Sequence, residues 1–70
     1  MKNKYTAVIK NAGKWWIGWV EEVPGVNCQE KTHEALRESL RQALKEVLEF
    51  NREDAIAAAQ SGYREEPVTV

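Results

Sequence analysis

The stretch Trp15-Trp16-Ile17-Gly18-Trp19-Val20-Glu21-Glu22-Val23-Pro24-Gly25-Val26 decides how this chain folds, and it holds all three of its tryptophans. Read as a strand, it places Trp15, Ile17 and Trp19 on one face and Trp16 and Val20 on the other, around Gly18. Apolar residues therefore occupy both alternation sets, and both faces want cover. The chain's own helix can cover one of them. The other calls for a second subunit or a partner protein, and function is expected there.

Upstream, Tyr5 to Lys10 sets Tyr5, Ala7 and Ile9 against Thr6, Val8 and Lys10 and is rich in β-formers. It stops at Asn11-Ala12-Gly13-Lys14, whose Asn and Gly tolerate the positive φ of a tight turn. Downstream, Pro24 removes an amide donor and Pro24-Gly25 suits a type II turn, which sends Val26 to Gln29 back as a short third strand. A three-stranded antiparallel meander results.

Thr32 fits an N-cap, with Glu34 in the first turn where the helix dipole favours an acid. Ala35, Leu36, Ser39, Leu40, Ala43, Leu44, Val47 and Leu48 then recur at helical spacing. Arg37, Glu38, Arg41, Gln42, Lys45, Glu46 and Glu49 take the wet side. Glu34/Arg37 and Glu38/Arg41 are i,i+3 pairs there, each worth about 0.2–0.5 kcal/mol. An unbroken helix over 33–60 would run about 42 Å, long for so small a domain. The expectation is a break at Asn51, which would cap a second short helix ended by Ser61-Gly62; a single helix projecting into a partner is the alternative. Glu66-Pro67-Val68-Thr69-Val70 reads as a last strand at a sheet edge beside Tyr5–Lys10, reached by a right-handed crossover. The expected architecture is α+β, β-β-β-α-β, in one domain over 1–70.

A 70-residue domain buries only about 60% of the surface its unfolded chain exposes, which makes self-association an economical source of stability. One cysteine, Cys28, cannot close an intramolecular disulfide, and with one histidine it is too little for a structural zinc site. Neither an export signal nor a membrane span is read from the sequence, so a cytoplasmic protein is expected. A net charge of −1 lacks the basic excess of an autonomous nucleic-acid binder.

No phosphate loop, dinucleotide fingerprint, metalloprotease helix or nucleophile elbow is present. His33 and Glu34, adjacent on a helix, do not face each other and cannot act as base and orienting acid. Cys28 reads as a small core residue rather than the partner of His33. Glu21-Glu22 and Glu65-Glu66 do not converge as metal-binding carboxylates must, because neighbours on a strand point to opposite faces, and YTAVIK supplies no acid. No enzyme, metal or cofactor is expected. The tryptophans could stack nucleobases, but without interleaved Lys or Arg they read as core or interface.

YTAVI, a glycine-containing hairpin, WWIGWVEEVPGVNCQ with its Val-Pro-Gly turn, and THEALRESLRQALKEVLEF together resemble the HicB-like antitoxin family over about residues 4–50. The resemblance implies a partial ribonuclease-H-like domain that self-associates and sequesters a small basic toxin that cleaves messenger RNA. This chain differs from the family at Glu30-Lys31, where Gly-Asp or Gly-Glu is usual. Nothing in it after the last strand reads as a DNA-binding domain, so direct operator binding does not carry over. Glu21 and Glu22 beside the Pro24-Gly25 turn, with Trp19 as anchor, are the expected toxin contacts. The oligomer contact is expected on the strand face that the helix leaves open, Trp16 with Val20 or else Trp15, Ile17 and Trp19. The rival expectations are an orphan homo-oligomeric domain and a degenerate nuclease or hydrolase.

Overall fold

The computed structural model describes residues 4–70. Three strands, β1 (Ala7–Ala12), β2 (Trp15–Val20) and β3 (Asn27–Glu30), precede one helix, α1 (His33–Ala59). The strands form an antiparallel sheet in the order β1-β2-β3, and α1 packs on one face of it in an α+β arrangement.

Local chemistry accounts for each corner. β1 runs two residues beyond Lys10, so the hairpin turn contracts to Gly13-Lys14, with Gly13 at φ 72°. A glycine at positive φ in the first central position is the requirement of a type II′ turn, whose twist suits two-residue hairpins. At the second corner Gly25 has φ 93° behind Pro24, and the Val26 amide donates to the Val23 carbonyl, as a type II turn demands. The Thr32 hydroxyl oxygen accepts from the Ala35 amide at 3.0 Å and caps α1.

The sheet register answers which face of β2 is the core. Trp16 lies opposite Asn11 and Glu30, Gly18 opposite Ile9 and Cys28, and Val20 opposite Ala7. This is the face under α1: Val20, Val23, Val26, Leu36 and Leu40 are buried together, with Ile9, Trp16, Cys28, Ala43, Leu44, Val47 and Leu48 packed around them. Gly18 is the seat of the helix. A Cβ there would lie 3.1 Å from the Val8 carbonyl oxygen, 3.2 Å from Leu36 Cδ2 and 3.2 Å from Leu40 Cδ1. The eight α1 positions assigned to the apolar side are all buried or half-buried, and the seven assigned to water are all exposed. Ser39 Oγ donates to Glu30 Oε2 at 2.6 Å and ties α1 to β3. Of the two surface pairs expected on α1, Arg41 meets Glu38 at 3.0 Å, whereas Glu34 and Arg37 do not pair.

Two expectations are corrected. Helix α1 does not break at Asn51 but runs unbroken from His33 to Ala59, 27 residues in all, and ends at Gln60, whose positive φ and amide bonds to Ile56 and Ala57 close it. Asn costs an exposed helix interior only tenths of a kcal/mol, about 0.7 at most, and the alanine-rich run behind it restores the balance. Nor is there a strand at 66–70. The uninterrupted helix carries the chain about 24 Å past Leu44 before it can turn, away from the sheet edge it was expected to join. The molecule measures 51 × 23 × 15 Å, with α1 overhanging a small sheet.

Candidate functional site

The face of the sheet opposite α1 has no covering element among the described residues. Its composition follows from the register. Val8, Trp19 and Asn27 form one cross-strand row, Lys10, Ile17 and Gln29 the next, and Ala12 with Trp15 a third. Trp15 is 38% and Trp19 40% exposed, while Val8 and Ile17 between them are half-buried. Four residues along β2 separate the two indoles by about 13 Å of strand. The Lys31 ammonium sits 5.9 Å from the centre of a Trp15 ring, within reach of a cation–π attraction. Two exposed tryptophans on one uncovered face of so small a domain make this face the candidate interaction surface.

Of the expected contact residues, Trp19 is on this open face. Glu21 continues the alternation Trp15, Ile17, Trp19 one step beyond it, its amide bonded to the Thr6 carbonyl at 2.9 Å, and is exposed. Glu22 does something else. Its carboxylate accepts from the Thr6 amide at 2.8 Å and from the Thr6 hydroxyl at 2.7 Å, which staples the start of β1 to the end of β2. The Thr6 amide, with its hydroxyl next, holds the Glu22 carboxyl below the usual glutamate range. Each oxygen accepts one bond within the chain, so the exposed Glu22 carboxylate is fixed in place with acceptor capacity to spare. Placing the oligomer contact on Trp16 and Val20 is corrected. Val20 is 5% exposed in the core, and Trp16 is half-buried with its ring edge-on to His33 at 5.3 Å. The other set, Trp15, Ile17 and Trp19, is the open one.

The residues weighed for chemistry are dispersed. Burial, and secondarily the charge of Glu30, pushes the Cys28 thiol up, opposite to what a nucleophile needs. His33 is exposed at the first turn of α1, against Trp16 rather than against Cys28. Among the described residues no three His, Cys, Asp or Glu side chains converge as metal ligands would, and no helix is long and apolar enough to cross a membrane.

The alternation of β2 could not reveal Lys10 and Lys31. Lys10 comes onto the open face through its pairing with Ile17, and Lys31 through the bend after β3. The patch is thus aromatic with two lysines and one terminal acid, a mixture hidden while each strand is read alone. Compared with known protein families, with curated proteins and with solved structures, the chain matches none.

Proposed function

We propose that this chain is a HicB-like, antitoxin-type protein-binding domain of the cytoplasm, a self-associating protein that sequesters a small basic ribonuclease toxin by covering its RNA-binding surface, without chemistry of its own. The observation that carries the reading is the open sheet face, where Trp15 and Trp19 stand exposed around Ile17 on a rigid strand. Large aromatics on a preorganised element are what tight interfaces use as anchors, each costing at least about 2 kcal/mol of affinity when truncated. Glu21 supplies the acid at the Trp19 end that a basic partner would meet. A half-buried Cys28 thiol suits a reducing compartment.

Lys10 and Lys31 beside the tryptophans favour a second reading, in which the same face stacks the bases of single-stranded RNA and the lysines meet its phosphates. Association kinetics separate the two. The product of the neighbouring gene and a short single-stranded RNA are each flowed over the immobilised chain. For a basic protein partner, Glu21→Lys slows association and Lys10→Glu speeds it, both effects shrinking with salt. For RNA the two signs reverse. Binding to neither probe refutes both readings and leaves an orphan oligomer.

A further inference from the structure

We propose that two copies of this chain pair by exchanging helix overhangs, the part of α1 beyond Leu48 in each lying across the open tryptophan face of the other. This rests on the open face being a binding surface and adds what occupies it until another partner competes. The stripe that seats α1 on its own sheet does not stop where the sheet stops. Leu44, Val47, Leu48, Asn51, Ala55 and Ala58 follow one another at i, i+3, i+4, i+7, i+11 and i+14, a single helix face. The first three are half-buried against the core, and the last three are exposed. The overhang thus turns toward the level of the sheet a run of small residues with no strand beneath it. Glu65 returns to the helix at Arg52, 3.4 Å away, about 90° around from the middle of that run.

Sidedness and spacing let two copies meet. In each chain α1 covers one face of the sheet, and the tryptophans look the other way. A half-turn about an axis in the plane of the sheet, crossing the line of α1, brings the second copy's open face under the first copy's overhang. The same rotation brings the second overhang onto the first open face, so both contacts form together and the dimer closes. Ala55 lies seventeen residues beyond the midpoint of Leu36 and Leu40, which clamp Gly18, about 25 Å along the helix axis. β2, with six residues, is about 20 Å long. Two sheets set about 25 Å apart therefore lie side by side without collision. Each is then covered on both faces by helix, its own on one and its neighbour's on the other.

Shape, charge and area name the second copy as the occupant. Trp15 and Trp19 project from the open face, and the alanines of the overhang have no bulk to hold a helix away from them. The open face carries Lys10 and Lys31 against Glu21, a net positive surface. The overhang carries Glu53 and Asp54 against Arg52, and Arg52 is already paired with Glu65, which leaves a net negative surface. The open face measures about 15 by 20 Å, a footprint of roughly 300 Å² on each partner. One such contact falls well short of the roughly 1,200 Å² in total at which specific interfaces become stable, and two reciprocal contacts reach it.

Sedimentation velocity of the full chain over a hundredfold range of micromolar concentration is the test. It is run beside Trp15→Ala/Trp19→Ala on the face and Ala55→Arg/Ala58→Arg on the overhang, arginine being a good helix former. A dimer is expected for the full chain, with at least tenfold weaker association in each variant and unchanged helix content. Mixing the two variants rebuilds one of the two contacts and should give more heterodimer than either variant gives homodimer. Amide exchange over residues 51–59, fast in the dilute monomer, should slow as the concentration rises through the dimer range. A full chain that is monomeric throughout overturns the proposal. So does an overhang variant that dimerises as well as the wild type, the result expected of tryptophan faces packed on each other. RNA cleavage by the neighbouring gene's product keeps this inference separate from the reading it rests on. Inhibition by a chain that never dimerises sinks the overhang exchange alone, and the dimer described here without inhibition sinks the ribonuclease reading alone.

Discussion

Replacing Gly18 is the sharpest perturbation of this fold, because the whole of α1 is seated on a position with no side chain. The first carbon of any substituent would meet Val8 O, Leu36 Cδ2 and Leu40 Cδ1 at 3.1–3.2 Å. None of the three can retreat easily: the oxygen belongs to the β1 backbone, Leu36 is 0% exposed and Leu40 4%. Gly18→Ala gains up to about 1 kcal/mol by removing glycine from a strand interior. Against that stands an overpacking cost of about 1–3 kcal/mol, so a net loss near 1 kcal/mol is expected. Gly18→Val places two more carbons in the same space and should exceed 3 kcal/mol, by extension of that range. At roughly 0.05–0.15 kcal/mol per residue, a domain of this size has on the order of 3.5–10 kcal/mol in total. The valine variant should therefore be largely unfolded or have α1 displaced. Urea titration followed by far-UV circular dichroism and tryptophan fluorescence measures both. With a slope of about 1 kcal/mol per molar urea, the alanine variant should lose about 1 M in midpoint. If Gly18→Val keeps the wild-type midpoint, the helix does not sit where it is described.

Three further outcomes follow from the same geometry. Leu36→Ala should cost about 2–5 kcal/mol in the same titration, since its side chain is fully enclosed beneath the helix. Glu22 is held below the ordinary glutamate pKa, so its stabilisation is fully present above that value, about 4.3, and is lost as the pH falls through the lower folded value. The acid-side drop in melting temperature should accordingly shrink in Glu22→Gln and in Thr6→Val. Amide hydrogen exchange should be slowest around Leu36–Leu44 and much faster over residues 51–59, where only Ile56 is even half-buried; uniform protection along α1 would show that the overhang is covered in solution.

What could be read from the chain and what could not divide along physical lines. Turns and caps are local: Gly13, Pro24-Gly25 and Thr32 act on the nearest few residues, and each performs the role its chemistry predicts. The helical stripe from Ala35 to Leu48 is equally plain, because burial follows the period. The break expected at Asn51 rests on helix length and on a residue that can cap as easily as continue a helix, with no glycine or proline to enforce it, and the helix runs through. The C-terminal strand depended on that break and is lost with it. The two faces of β2 were equally apolar, and only Gly18 distinguished them. A residue without a side chain midway between Trp16 and Val20 marks the face that something approaches closely. The role of Glu22 rests on a partner sixteen positions away, the place of Lys10 on cross-strand register, and that of Lys31 on its approach to the Trp15 ring. Neither is a local property of the sequence.

In the proposed function, the open tryptophan face inhibits a ribonuclease by occluding it. The most direct test is cleavage of a messenger RNA by the neighbouring gene's product, titrated with the wild-type chain and with Trp15→Ala/Trp19→Ala, whose fold is first verified by circular dichroism. The wild-type chain should abolish cleavage near stoichiometry, and the double variant should need at least about thirtyfold more protein, the equivalent of one lost 2 kcal/mol anchor. Full cleavage in the presence of excess wild-type chain, or equal inhibition by the folded double variant, would contradict the account.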